Sequence, residues 1–442
     1  MADAHARQPA AHDTGRQARR WMWATLAATV LALLLVVALA TPWSPWPGAA
    51  TLRPDPARDF TERQIAAANR FHAAVRPPFY TGLVVSVAVS IALGITPLGA
   101  RLVRTVGRRL RGLVAQVTAG TVAVSALALL AAVPFAAWAH VVLVRYGLST
   151  QSWGAWLIDV AKGWAVATAL SAGALVALVG LARRLPRWWF GPAALVAGAL
   201  VGLGSFLHPV VIEPVFNSFS AMKAGPLRTS LLDLAERDGI AVEDVLVADA
   251  SRRTTTLNAY VSGFGATRRI VVYDTLLAQA TAAEVRLIVA HELGHVRASD
   301  VARGTATGAL GAAAGVTALA LALTSPAVLR RVGVRSAGDP AVVAVVLALY
   351  SLGSLLSLPV QNLVSRQVEA RADLHALDLT GDPETFTALQ RTLAIANRTD
   401  LDPPALHYWW FASHPSPPAR IAIARRWAAQ VHSATGEALR AP

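Results

Sequence analysis

The residues best suited to do chemistry in this sequence are His291, Glu292 and His295, which form an H-E-x-x-H pattern. Residues i and i+4 lie on the same face of an α-helix, so both imidazoles can reach one metal ion. Imidazole nitrogen is a good zinc ligand, and a catalytic zinc ion keeps one position open for water. Glu292 lies beside the pair, where it can take a proton from that water and later pass it to a leaving amine. The pattern therefore predicts a hydrolytic zinc site.

The alternative is a pair of histidines on a solvated helix face. The apolar run 287–290, directly before His291, disfavours it because such a run buries the helix. A catalytic zinc ion normally has three protein ligands, and Glu369 and Asp373 lie one turn apart on a segment expected to be helical. One of these carboxylates can bind the metal while the other accepts a hydrogen bond from a ligand histidine. Alone, two carboxylates four residues apart are more typical of a solvated helix face. In a sequence that also contains an H-E-x-x-H, Glu369 and Asp373 are the leading candidates for the third zinc ligand.

The composition restricts the kind of protein that carries this site. Of its 442 residues, 55% are hydrophobic and 15% are charged, whereas an average soluble domain has about 25% charged residues. The chain has no cysteine, which excludes disulfides, cysteine zinc fingers, iron–sulfur clusters and a cysteine nucleophile. The net charge is +14. Because its arginines are distributed among loops between apolar runs, nucleic acid is disfavoured as a partner.

Seven apolar runs are each long enough to cross a bilayer core of about 30 Å, and none contains Asp, Glu, Lys or Arg. Tryptophan and tyrosine cluster at several of their ends, as interfacial anchors do. A cleaved signal peptide is the alternative for the first run, whose length of about 20 residues is more typical of a membrane span. The runs are 21–40, 79–100, 112–144, 163–182, 188–211, 304–327 and 341–364.

The polar segments between these runs are expected to form one catalytic unit. β-Rich stretches occur at 245–248 and 269–273, with a sheet edge near Asn258, and a capping box at Thr281 and Glu284 opens the helix of the H-E-x-x-H. The predicted fold is mainly α: a bundle or barrel of about seven transmembrane helices with an inserted small α+β zinc metallopeptidase unit. The expected divisions are a disordered polar tail (1–20), five spans (21–211), a catalytic segment (212–302), two spans (303–364) and a second catalytic segment (365–442).

Six short stretches occur in an order that resembles one known family, the integral-membrane zinc metallopeptidases related to the type I CAAX prenyl proteases. The resemblance covers roughly residues 206–425 and includes a matching count of seven spans. Many metalloproteases share an H-E-x-x-H, so the ordered combination is much more specific than that pattern alone. The stretches are 214–217, 258–260, 269–277, 291–295, 365–373 and His414 with Pro415.

The resemblance implies a ligand set and a base. His291, His295 and Glu369 would bind one zinc ion per chain, and Glu292 would be the general base. The family's fold is a ring of seven long membrane helices around a large water-filled chamber, with the zinc site at one end. Such a chamber would let water reach the metal at a membrane.

The resemblance also implies roles for three further residues. Asp373 would support a ligand histidine or donate a proton. Asn258 would lie on an edge strand that binds the substrate main chain. His414 would stabilise the oxyanion that develops during hydrolysis.

The sequence leaves the membrane side of the site open. If every run spans, the arginines of the tail and of alternate short loops lie on one side, which the positive-inside rule makes cytoplasmic. The catalytic unit would then face outward, whereas the resemblance to the eukaryotic family members implies a cytosolic site. The protein is therefore expected in the cell membrane as a multi-pass protein, with the side of its active site undecided.

The substrate is also left open. A peptide or protein is expected, with lipid-modified and membrane-bound substrates among the candidates, so CAAX-type C-terminal processing and broader quality-control proteolysis are both retained. A metal-binding transporter is disfavoured because the spans lack the ionisable residues of a transport path. A scaffold without catalytic activity is disfavoured, because such a protein would not need Glu292, and Glu292 is present.

Overall fold

The computed structural model describes residues 8–45, 54–263 and 268–438, and most of them are helical. The helices are α1 (Gln8–Ala40), α2 (Pro56–Asp59), α3 (Glu62–Gly94), α4 (Pro97–Gly107), α5 (Leu113–Arg145), α6 (Trp153–Arg184), α7 (Phe190–Leu207), α8 (Glu213–Phe216), α9 (Pro226–Arg237), α10 (Asp274–Gln279), α11 (Ala282–Arg297), α12 (Asp300–Ala322), α13 (Pro326–Val332), α14 (Val342–Thr380), α15 (Pro383–Ala396), α16 (Ala405–Phe411) and α17 (Pro417–Ala438). The strands are β1 (Phe219–Ala221), β2 (Asp244–Ala248), β3 (Ala259–Ser262) and β4 (Arg269–Tyr273).

Within the described part of the chain, seven helical segments are long and apolar enough to cross a membrane, as the sequence predicts. Many of their apolar side chains, such as Leu39, Val84 and Leu195, are exposed on the protein surface. An apolar surface of this extent is stable against lipid rather than water. The segments are Gly15–Ala40, Glu62–Gly94, Leu113–Arg145, Trp153–Arg184, Phe190–Phe216, Asp300–Ala322 and Val342–Thr380.

The bounds of the second span differ from the predicted run 79–100. The helix begins far earlier, at Glu62, because Thr61 and Gln64 form a capping box at its N-terminus. It ends at Gly94, and Thr96 caps the separate helix α4, which starts at Pro97. Hydropathy predicts only the part of a helix that lies in lipid, so the polar part of α3 before residue 79 was not included in the predicted span.

The first helix extends into the segment expected to be disordered. The prediction of a disordered tail over 1–20 is wrong for residues 8–20, because α1 begins at Gln8. Alanine, glutamine and arginine are good helix formers, and extending an established helix costs less than nucleating one. Residues 1–7 of the predicted tail lie outside the described residues.

A four-stranded sheet lies in the catalytic unit, with the strand order β1-β2-β4-β3. Strands β2 and β4 are parallel, while β1 and β3 are antiparallel to their neighbours. The predicted strands near 245–248 and 269–273 are present, and β3 is an edge strand. Its side chains Tyr260 and Ser262 donate hydrogen bonds to Glu213, so the edge strand is tied to the end of the fifth span.

Two long helices carry the membrane domain into the catalytic unit. Helix α14 runs without a break from Val342 to Thr380, so the division expected between 364 and 365 falls inside one helix. Helices α11 and α12 are joined at Ser299, whose φ of 55° lies in the left-handed region. The sixth span therefore starts directly beside the helix of the H-E-x-x-H.

Candidate metal centre

Helix α11 holds His291, Glu292 and His295 in a largely buried position. Thr281 and Glu284 form the predicted capping box at its N-terminus. Leu287, Val289 and Leu293 are buried in the core of the catalytic unit. The Nε2 atoms of His291 and His295 lie 3.2 Å apart, and the potential ligand atoms of these histidines and Glu292 all lie within 4.8 Å of one another.

Helix α14 brings Glu369 to the two histidines. Its Oε2 lies 3.2 Å from Nε2 of His291, and its Oε1 lies 3.6 Å from Nε2 of His295. Gly294 suits the close packing of α11 on α14, because a Cβ atom there would lie 3.1 Å from Cβ of His375 on α14, a tight contact. The side chain of Glu369 is only 10% exposed.

The arrangement of these atoms fits a zinc ion. Ligand atoms about 2.0–2.1 Å from a tetrahedral zinc ion are about 3.3 Å from one another. Nε2 of His291 lies at such a separation, 3.2 Å, both from Nε2 of His295 and from Oε2 of Glu369. That buried oxygen has no hydrogen-bond partner among the described residues, and a buried carboxylate oxygen without a partner is costly unless it binds a cation.

Asp373 lies one turn beyond Glu369 and contacts the first histidine. Its Oδ1 is 3.0 Å from Nδ1 of His291, and its side chain is fully buried. Arg420, on α17, donates from Nε to Oδ2 of Asp373 at 2.8 Å and from its terminal nitrogen to Oδ1. A carboxylate that only accepts hydrogen bonds keeps the imidazole proton on Nδ1, which leaves the lone pair of Nε2 free for a metal.

The second histidine has a matching partner that sequence reasoning missed. Nδ1 of His295 lies 2.9 Å from Oδ2 of Asp300, the first residue of α12. Arg371 donates from the same terminal nitrogen to both oxygens of Asp300, at 2.5 and 2.6 Å. The one available signal was that Asp300 follows His295 by five residues, but the turn at Ser299 that brings it back could not be anticipated.

Burial and neighbouring charges shift two pKa values at the centre. Burial alone would lower the pKa of His291, but the adjacent carboxylates of Asp373 and Glu369 outweigh it and raise that pKa to about 10. Burial raises the pKa of Glu292, although the adjacent His291 and His295 oppose the shift. A raised carboxyl pKa is typical of a group that must both accept and return a proton near neutral pH.

The remaining two predicted residues lie at different distances from these groups. Nε2 of His414 is 3.4 Å from Oε2 of Glu369, and the His414 side chain is 58% exposed. Asn258 is exposed and directly precedes β3, and its carbonyl oxygen accepts a hydrogen bond from Tyr273 of β4. His414 thus faces the metal centre, whereas Asn258 belongs to the sheet edge.

The fold and the site are those of an integral-membrane zinc metalloprotease. The protein has seven apolar spans, an inserted α+β unit, and two histidines with a carboxylate at zinc-ligand spacing. Residues 221–428 match the family model of peptidase family M48, and residues 73–218 match the model described as CAAX prenyl protease N-terminal, five membrane helices. The chain belongs to peptidase family M48. Peptidases of this family are generally zinc-dependent, and their substrates are peptides or proteins.

Named relatives and a solved structure agree with this assignment. The chain is 32% identical over 288 residues to the uncharacterized metalloprotease YhfN of Bacillus subtilis, a match that covers 64% of this chain and 67% of that protein. It is 29% identical over 212 residues to CAAX prenyl protease 1 of Saccharomyces cerevisiae, covering 47% of this chain and 45% of the yeast protein. The crystal structure of S. mikatae Ste24p is similar in fold, with a TM-score of 0.72 and 20% identity over 91% of this chain and 98% of that one.

Proposed function

We propose that this protein is a zinc endopeptidase in which His291, His295 and Glu369 bind one zinc ion and Glu292 is the general base. The observation that carries the proposal is the buried, unpartnered Oε2 of Glu369, which lies 3.2 Å from Nε2 of His291, while Oε1 of the same carboxylate lies 3.6 Å from Nε2 of His295. A bound zinc ion would lower the pKa of a water molecule to near 7 and polarise the scissile carbonyl.

The chain's own side chains then direct the protons. Glu292 accepts the proton of the attacking water and delivers it to the leaving amine. Its raised pKa suits this exchange. Exposed His414 donates a hydrogen bond to the oxyanion from the side of Glu369.

Buried and half-buried partners hold the ligand histidines in place. Asp373, fixed by Arg420, orients His291. Asp300, fixed by Arg371, orients His295 in the same way. The proposal therefore includes both carboxylates as positioning residues.

The substrate would bind along β3 as an added strand. Asn258 accepts a hydrogen bond from β4, and main-chain groups alternate in direction along an antiparallel strand. The amide and carbonyl groups of Ala259 and Val261 therefore point away from β4 and are available to an extended peptide. Asn258 would contact the same peptide at the start of the strand.

The peptide bond that is cut belongs either to a CAAX-type C-terminus, as the names of the yeast and other eukaryotic relatives suggest, or to a wider set of membrane-associated peptides. A lipid-modified substrate would suit a site beside seven membrane helices. We propose peptidase activity on membrane-associated chains, with CAAX-type processing as one form of it.

The test is cleavage of a mixed peptide library by the purified protein and by Glu292→Gln, with zinc content measured for both. The library contains matched prenylated and unprenylated C-terminal peptides. We expect chelator-sensitive cleavage by the wild type, and a loss of at least about 100-fold in the variant, which keeps its zinc. Cleavage by Glu292→Gln at the wild-type rate would show that the base is wrongly assigned, and preference for prenylated peptides would favour CAAX-type processing.

A further inference from the structure

One end of the membrane domain carries an unusual concentration of arginine. Four segments contribute to it: the start of α1, α4 with the loop after it, the end of α6 with the loop after it, and α13 with the loop after it. We call this surface the arginine face. Its members are Arg16, Arg19, Arg20, Arg101, Arg104, Arg108, Arg109, Arg111, Arg183, Arg184, Arg187, Arg330, Arg331 and Arg335.

Contacts between the segments show that they form one surface. Arg104 donates hydrogen bonds to the carbonyl oxygen of Gly333 at 2.5 Å and to Asp339 at 3.1 Å. Arg183 donates to the carbonyl oxygen of Gly338 at 2.8 Å. Beneath these contacts, one buried cluster includes residues from all four segments: Met22, Ala100, Ala182 and Val332.

The arginine face accounts for nearly the whole net charge of the protein. The chain has 40 basic and 26 acidic residues. When the fourteen arginines of the arginine face and Asp339 are set aside, the net charge of all other residues is within one unit of zero. Asp339 is already engaged, since it accepts hydrogen bonds from Arg104 and from the backbone amides of Arg335 and Ala341. Among the side chains that the structure describes in these segments, Asp339 is the only carboxylate, so most of the positive charge there has no described counterion.

The metal centre lies at the other end of the same helices. Helix α14 begins at Val342, beside the arginine face, and reaches Glu369 about 40 Å further along its axis. Helix α12 runs in the opposite direction, from Asp300 at the metal centre to Ala322. Since the hydrocarbon core is about 30 Å thick, the two ends lie at opposite surfaces of the membrane.

A cavity of about 510 Å³ opens on the arginine face between α4 and α13. Arg104, Arg330 and Arg335 line it together with the apolar side chains of Leu329 and Val334. Arg330 and Arg335 are exposed, and neither forms an ion pair within the part of the chain that the structure describes. Guanidinium groups above an apolar wall complement a phosphate diester on a glycerol backbone.

We infer that the arginine face binds the anionic phospholipid headgroups of the cytoplasmic leaflet, with one headgroup in the cavity between α4 and α13, and that the metal centre opens on the opposite side of the membrane. Arginine in short loops marks the cytoplasmic side, and basic pockets between membrane helices bind anionic headgroups. This orientation is the reverse of the one implied by the resemblance to eukaryotic proteins.

The orientation defines a substrate class. Segments of membrane or exported proteins that lie outside the cytoplasm would reach β3 and the metal centre, whereas cytosolic C-termini would not. Of the two substrate classes proposed above, this orientation favours the wider set of membrane-associated peptides over CAAX-type C-termini in the cytosol. This part of the inference rests on the proposed peptidase function. The orientation and the lipid site do not, because neither requires catalysis.

The absence of cysteine makes the orientation directly measurable, since any introduced cysteine is the only thiol. Ser336→Cys reports on the arginine face and Glu236→Cys on α9 of the catalytic unit, and both positions are exposed. Cells are treated with a membrane-impermeant maleimide before or after permeabilisation, and labelling is normalised to that of the denatured protein. We expect Glu236→Cys to be labelled several-fold more than Ser336→Cys in intact cells, and both to be labelled equally after permeabilisation. The reverse order, or equal labelling in intact cells, would overturn the orientation, and loss of peptidase activity would not affect the result.

The headgroup site is tested by native mass spectrometry of the detergent-solubilised protein with short-chain phosphatidylglycerol or phosphatidylcholine. We expect preferential retention of phosphatidylglycerol, weakened about fivefold by either Arg330→Gln or Arg335→Gln. Arg237→Gln, which removes an exposed arginine of the catalytic unit, is the matched control and should change nothing. Equal binding of the two lipids, an equal loss in the control, or displacement of the lipid by an equal concentration of inorganic phosphate would overturn the lipid site.

Discussion

Replacing Asp300 by asparagine tests how the second ligand histidine is held. In the wild type, Oδ2 of Asp300 faces Nδ1 of His295 at 2.9 Å and can only accept a hydrogen bond, so the proton stays on Nδ1 and Nε2 is free for zinc. The asparagine amide can instead donate to Nδ1, which favours the tautomer whose Nε2 is protonated. The variant also removes the negative charge that raises the basicity of the imidazole.

The expected loss follows from this geometry. Removing the partner of a metal-binding histidine typically weakens metal affinity 10- to 100-fold, which is about 1.4–2.8 kcal/mol. Because Asp300 is half-buried and shared with Arg371 through two contacts, we expect a value near the upper end. Arg371→Gln leaves Asp300 in contact with His295 and should cost less.

The assay is competition for zinc against a chromophoric chelator, carried out on detergent-solubilised protein without substrate. Asp244→Asn is the matched control, because Asp244 pairs with Arg228 away from the metal centre. Melting temperatures of the metal-free variants separate lost folding from lost metal binding. Zinc affinity of Asp300→Asn equal to that of the wild type and the control would refute the positioning role.

Three further predictions concern the same unit. Because the pKa of His291 is raised, a zinc ion must displace a proton from this side chain in order to bind. Zinc affinity should therefore rise about tenfold per pH unit between about pH 7 and 9. A zinc affinity independent of pH would contradict this prediction. Thr281→Ala removes the cap of α11 and should lower the free energy of unfolding by about 1 kcal/mol while zinc affinity is retained, measured by thermal unfolding and chelator competition. Arg420→Gln leaves the carboxylate of Asp373 buried without its arginine partner and should destabilise the catalytic unit by about 3–5 kcal/mol. Arg420→Lys should recover part of this loss. A melting temperature of Arg420→Gln equal to that of the wild type would contradict the prediction.

Much of the fold could be predicted from sequence because hydrophobic length and helical spacing are local properties. The seven spans follow from runs of apolar residues, and the convergence of His291 with His295 follows from 3.6 residues per turn. The pairing of Glu369 with Asp373 on one helix face follows from the same period.

The remainder of the site depends on contacts between distant segments. Arg420 reaches Asp373 from α17, and Arg371 reaches Asp300 across the start of the sixth span, and the local sequence around neither arginine indicates its partner. The position of Asp300 beside His295 depends on the left-handed backbone conformation of Ser299. Residues other than glycine rarely adopt this conformation, so the sequence does not predict the turn. The helical tail escaped prediction for a different reason, since polar composition does not exclude helix when the segment is continuous with a membrane helix.

Helix α14 connects the lipid environment to the metal centre as one continuous helix. It crosses the membrane and carries Glu369 and Asp373 on the same helix, while His291 and His295 lie on α11, outside the seven spans. A bilayer that becomes thinner or thicker changes the tilt of its helices. A tilt of α14 relative to α11 would move the carboxylate donors relative to the imidazoles, and zinc affinity would then depend on the acyl-chain length of the surrounding lipids.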